Sequence, residues 1–128
     1  MLAAVQHLRM LLSMEPLNRF EFPLAKAEYL LNYTTASGKG GDKQNFWRVL
    51  MGFDSAVEIQ AAILAQISSD LLQLQSQNDF GVLYRAYLRL TGPSGLSRRI
   101  RTIWIVRFEE SVARFVTAVP QRTGESGE

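Results

Sequence analysis

Hydrophobic positions along the chain change their spacing partway. Leu2, Val5, Leu8, Leu11 and Leu12 recur at helical intervals, so the N-terminal stretch is expected to be an amphipathic helix that Pro16 ends. Leu24, Ala27, Leu30 and Leu31 mark a second, short helix entered at Pro23, a residue suited to the first helical turn. Phe46, Val49, Leu50 and Phe53 form a third stripe, with Gly52 as its terminator. Ser55 followed by Glu58 is a capping box, and it opens a helix with Ile59, Ala62, Ile63 and Ile67 on one face. After Ser69 the period falls to two. Leu72 and Leu74 alternate with Gln73 and Gln75. Val82–Thr91, Arg99–Phe108 and Val112–Val119 are rich in β-branched and aromatic residues. Gly92-Pro93-Ser94-Gly95 and Glu109-Glu110 supply the turns between them. Helices followed by a meander predict an α+β fold, with N-terminal helices packed on an antiparallel sheet of about four strands. A chain of 128 residues is the size of one domain. Residues 1–16 are expected as a helical extension, 17–120 as the domain and 121–128 as a disordered tail.

The composition is ordinary for a globular chain, with 47% hydrophobic and 20% charged residues, enough to form a core without covalent staples. The absence of cysteine excludes disulfides, thiolate-bound zinc, iron–sulfur clusters and thiol catalysis, and it fits a cytoplasmic location. His7 is the single histidine, so one chain cannot build a multi-histidine metal site, and neither metal nor cofactor is expected. His7 itself is read as a surface or interface residue of the first helix. No run of about 20 apolar residues exists, so no membrane-spanning helix is expected. The apolar Met1–Met14 stretch has neither the basic start nor the cleavage site of a secretory signal.

Charge sharpens the picture. The formal net charge is only +2, yet Arg85 to Arg114 holds seven arginines against Glu109 and Glu110. Such an excess attracts phosphates. It also serves as a solvated sheet surface that resists edge-to-edge aggregation. Counting outward from a turn centred between Pro93 and Ser94 sets Arg85 opposite Thr102 and Tyr87 opposite Ile100. Counting from Glu109-Glu110 sets Thr102 opposite Thr117 and Trp104 opposite Phe115. Opposed residues share a face. One face would then carry Arg85, Thr102 and Thr117 as a phosphate-binding row beside Tyr87 and Trp104, whose rings suit base stacking. The alternative is an aromatic cluster in the core with hydroxyls satisfied locally. The polar, glycine-rich loop Tyr33–Asp42 misses the spacing of a nucleotide-binding phosphate loop. Lys39 and the adjoining Lys43 can still present cations to an anion, or belong to a plain surface loop.

Several of these segments resemble a known family. Ala27-Glu28-Tyr29-Leu30-Leu31-Asn32, then Gly40-Gly41-Asp42-Lys43, Phe46-Trp47 and Leu50-Met51-Gly52-Phe53 follow the order of motifs in a bacterial domain family of unknown function. Related domains occur at the C-termini of polymorphic toxins. Arg101-Thr102-Ile103-Trp104-Ile105-Val106 and Phe115-Val116-Thr117-Ala118-Val119-Pro120 extend the resemblance, which spans Leu17–Pro120. That family is similar to the barnase–EndoU–colicin–RelE group of ribonuclease folds. The resemblance implies metal-independent RNA cleavage by the substrate's own 2′-hydroxyl, with Lys43, Arg85, Thr102 and Thr117 as catalytic positions and Lys39, Tyr87 and Trp104 as substrate contacts. Such a reaction needs a proton acceptor, a donor and cations. The family's loop histidine is missing here, where Tyr33-Thr34-Thr35-Ala36-Ser37 stands. The expectation is therefore a ribonuclease-toxin-like domain, active or degenerate, that binds RNA. The alternative is a non-catalytic module for a cognate protein partner, or a homodimer built through residues 1–13.

Overall fold

The structure is a computed structural model that describes residues 19–32 and 44–121. The expected helix over Leu2–Leu12, His7, the homodimer surface of residues 1–13 and the loop with Lys39 and Lys43 lie outside the described residues. So does the expected tail beyond Gln121. The fold is α+β, with helices laid on one face of a five-stranded sheet of order β1-β5-β4-β3-β2. The strands are β1 (Arg19–Glu21), β2 (Gln73–Gln77), β3 (Gly81–Thr91), β4 (Ser97–Arg107) and β5 (Val112–Pro120).

The sheet is mixed, because β1 runs parallel to β5. Its three residues are too few for a periodic signal. They alternate nonetheless: Phe20 sits edge-on to Trp104 at 5.4 Å, while Glu21 pairs in register with Arg114 on the opposite face. Phe22 then stacks on Phe115 at 3.9 Å, which directs the chain into the helical layer. Helix α1 (Leu24–Asn32) follows Pro23 and buries Ala27, Leu30 and Leu31. The third hydrophobic stripe forms a π-helix, Asn45–Leu50, with Met51 N–H donating to the Phe46 carbonyl. Gly52 ends it at φ +83°, a conformation that favours glycine. Helix α2 (Ala56–Gln66) opens on the capping box: the Ser55 hydroxyl accepts from Glu58 N–H, and the Glu58 carboxylate accepts from Ser55 N–H. Its Ile59 and Ile63 are fully buried.

The core lies between this layer and one sheet face. It holds Val82, Tyr84, Ala86, Leu88 and Leu90 of β3, Ile100, Trp104 and Val106 of β4, and Ala113, Phe115 and Ala118 of β5.

The β3–β4 pairing differs by one residue from the turn-centred expectation. Thr91 pairs with Ser97, so the connection Gly92–Leu96 has five residues, centred on Ser94. The reason is tertiary. Ser94 N–H donates to the Met51 carbonyl at 3.0 Å, and the Ser94 hydroxyl donates to the Leu50 carbonyl at 2.6 Å. The loop is thus anchored on the end of the π-helix. The approach is close enough that a Cβ at Gly92 would lie 2.1 Å from the Met51 carbonyl oxygen. The β4–β5 hairpin has the expected register near its turn, with Trp104 opposite Phe115. Val116 is then an extra residue in β5, and beyond this bulge Ile103 meets Thr117 while Thr102 meets Ala118.

Candidate functional site

One shifted residue exchanges the faces of a strand, and it divides the expected row. Arg85 is opposite Ile103, not Thr102, and Tyr87 is opposite Arg101, not Ile100. Thr102 is fully buried among the core side chains. Its hydroxyl donates to the Ala86 carbonyl and accepts from the Trp104 indole N–H, both at 2.8 Å. Thr102 therefore satisfies a buried donor instead of binding a substrate. Trp104 is likewise fully buried, wedged edge-on between Phe20 and Phe115, and is no stacking platform. The alternative of an aromatic core with local hydroxyl bonds holds for these two residues.

Arg85, Tyr87 and Thr117 belong by register to the opposite, open face. Arg85 and Thr117 do share a row there, with Ile103 between them. Gln73 pairs with Arg85 at the far end of the same row. The next row is Tyr87–Arg101–Val119, and the one after it pairs Arg89 with Arg99. Residues two apart on a strand stand about 7 Å from each other and neighbouring strands about 5 Å apart. Arg85, Arg89, Arg99 and Arg101 thus form one compact cationic patch around Tyr87. Arg89, Arg99 and Arg101 were not singled out as site residues from the sequence. Their signal was present, because Arg99 and Arg101 alternate with the apolar Ile100, and Arg85 and Arg89 with Ala86 and Leu88.

The electrostatics of the patch are one-sided. Among the described residues, ion pairs of the open face gather at its β1 end, where Arg114 meets Glu21 at 2.6 Å and Glu110 at 3.4 Å. Among the described residues no carboxylate lies within ion-pair distance of Arg85, Arg89 or Arg101. Arg85 donates to the Leu74 carbonyl, at 3.3 Å. The Nε of Arg101 is buried without a hydrogen-bond partner. The Arg99 guanidinium lies 4.1 Å from the centre of the Tyr87 ring, well within cation–π range. Ile103, beneath the patch, is only 7% exposed although it stands apart from the core cluster. Long arginine stems cover apolar surface in this way while their heads stay available. Tyr84, on the buried face, has its phenol pKa raised by burial.

Thr117 has a second surrounding. A cleft of about 320 Å³ opens between α1 and β5, lined by Lys26, Tyr29, Leu30, Phe115, Val116 and Thr117. Among the described residues no group of His, Asp or Glu is arranged to hold a metal ion, and no helix is long and apolar enough to cross a membrane. The rows carrying the arginine patch contain no carboxylate or imidazole among the described residues. Guanidinium groups set together in this way can attract anionic ligands.

Comparison with known proteins agrees with this architecture. The family model described as Domain of unknown function (DUF6883) matches residues 23–122. A chain of a contact-dependent growth inhibition toxin–immunity protein complex from Klebsiella pneumoniae 342 is similar in structure, with a TM-score of 0.61 and 18% identity. The match covers 78% of this chain and 98% of that one, and at this identity the shared property is the fold. No curated protein matches the sequence.

Proposed function

The chain belongs to this family of unknown function, and we propose that it is a toxin-related RNA-binding domain whose open sheet face takes the phosphate backbone. The carrying observation is the patch of Arg85, Arg89, Arg99 and Arg101 on a face whose described acidic residues are drawn to Arg114. Guanidinium groups match phosphate oxygens in pairs and stay charged at any physiological pH. The toxin–immunity neighbour supports the toxin-related part of the reading by fold alone. We read the domain as binding RNA without cutting it, because attack by a 2′-hydroxyl needs a proton acceptor that these rows lack.

Fluorescence anisotropy with a labelled single-stranded RNA tests the reading. Binding is expected to weaken as salt rises, with a log–log slope of about −0.7 per phosphate neutralised. The Arg89→Glu/Arg101→Glu variant is expected to lose it, and the RNA should remain full-length on a gel. A variant that binds like the parent would sink the proposal.

A second reading, a protein-interaction module, has its own support. Edge strand β2 is exposed throughout, with Leu74 66% and nearby Phe80 72% exposed. Pairing of β2 with a second copy would cover this edge. Sedimentation of the protein and of Phe80→Ser at about 100 µM checks it, since equal monomer masses would exclude self-pairing at this edge.

A further inference from the structure

We propose that the cleft between α1 and β5 receives one unstacked base of the RNA strand whose phosphates lie on the arginine face. The inference rests on the RNA-binding reading above and adds to it a site for the base.

The cleft suits such a group in size and lining. At about 320 Å³ it lies at the small end of ligand pockets, room for one ring system and its sugar. Its lining surface is mostly apolar, with Ala25, Leu30, Phe115 and Val116 beside Tyr29. The lining residues that carry polar groups are few: Lys26, Tyr29 and Thr117. A nucleobase needs this combination of flat apolar contact with a few hydrogen-bonding groups at the rim. Recognition of single-stranded RNA depends on splaying bases out onto such surfaces.

Position connects the cleft to the patch. Thr117 lines the cleft and also ends the row Arg85–Ile103–Thr117. Two strand spacings, about 10 Å, separate Arg85 from Thr117, which a strand rising about 3.4 Å per stacked nucleotide crosses in about three nucleotides. The route passes over the side of β5, where among the described residues β1 pairs with Val112–Arg114 and no strand pairs with that edge beyond them. The bulge at Val116 falls on this route. A bulge re-aims side chains at the point where it occurs, and Val116, 39% exposed, stands at the cleft wall. The patch offers a base little in exchange, since Arg99 occupies one face of the Tyr87 ring at 4.1 Å. The one aromatic side chain of the patch is thus already engaged by a cation.

The test compares two labelled probes of equal length by fluorescence anisotropy: a single-stranded RNA, and a fully abasic ribose-phosphate strand that carries the phosphates without the bases. The full chain is expected to bind the RNA about tenfold more tightly, the scale of one base–aromatic stack. Tyr29→Ala, and separately Val116→Trp to fill the cleft, should bring the RNA affinity down toward the abasic value and leave the abasic affinity unchanged. Circular dichroism melts confirm that each variant is folded, and a substituted side chain so exposed is not expected to unfold the domain. Arg89→Glu/Arg101→Glu should weaken both probes. If the two cleft variants bind RNA like the parent while the arginine variant loses both probes, the base site is wrong and the arginine face stands. If the arginine variant loses neither probe, the phosphate-binding reading fails and the base site fails with it.

Discussion

The two faces of the sheet are built from the same strands, residue by residue in alternation, yet they obey different physics. On the helix side Tyr84, Ala86, Leu88, Ile100, Trp104 and Phe115 are buried. The Trp104 indole N–H ends on Thr102, and Thr102 ends on the Ala86 carbonyl. On the open side Arg85, Arg89, Arg99 and Arg101 surround Tyr87, and among the described residues Arg85, Arg89 and Arg101 have no acidic partner. A buried face that left a donor unpaired would lose stability. An exposed face can leave cations such as Arg89 unpaired at little cost, because water solvates them. The difference separates stability from binding: changes on one face should move melting, and changes on the other should move affinity.

The largest expected effect tests the buried side. Trp104→Ala removes a fully buried ring packed against Phe20 and Phe115, and it should cost about 3–5 kcal/mol in a urea titration. A cost below about 1 kcal/mol would contradict its place in the core. Thr102→Val keeps the shape but leaves the indole N–H without its acceptor, so a loss of about 1–3 kcal/mol is expected. If Thr102 were a site residue instead, RNA affinity would fall and the melt would not move. Arg89→Ala with Arg101→Ala should do the reverse. Stability should stay within about 0.5 kcal/mol for each substitution, while the salt slope of RNA binding should shrink by about 0.7 for each lost phosphate contact.

The smallest effect is alkaline. Burial raises the Tyr84 pKa above its ordinary value, so the unfolded chain releases this proton before the folded one does. Stability is then unaffected below about pH 10, the unfolded value, and declines as pH rises from there through the folded pKa. Thermal melts from pH 9 to 11 should show that decline, and Tyr84→Phe should flatten it. An identical decline in the variant would assign it to other groups.

Much of this division was present in local pattern. Val82, Tyr84, Ala86, Leu88 and Leu90 alternate with Arg85, Tyr87 and Arg89 along β3, and Ile100, Thr102, Trp104 and Val106 alternate with Arg99 and Arg101 along β4. Alternation within each strand already sets Arg85 and Thr102 apart, and it is a stronger guide than counting outward from a turn. The capping box of Ser55 and Glu58, the helix entered at Pro23 and the Trp104–Phe115 pair near the Glu109-Glu110 turn follow from short-range chemistry, and the fold contains all three.

Only the assembled molecule decided the rest. The length of the Gly92–Leu96 loop depends on Ser94 hydrogen-bonding to Leu50 and Met51, residues more than forty positions away in the chain. The extra residue at Val116 and the parallel pairing of the three-residue β1 with β5 likewise depend on what lies beside β5 in space. A period of two states which residues of one strand share a face, and it is blind to how many residues a connection contains. That count decides which residues of the next strand stand opposite. So the sequence by itself determined an α+β chain with a helical half, a meander and an arginine-bearing set of strand positions. Tertiary packing decided which residues of neighbouring strands stand opposite one another, and that Thr117 lies between the arginine face and the cleft.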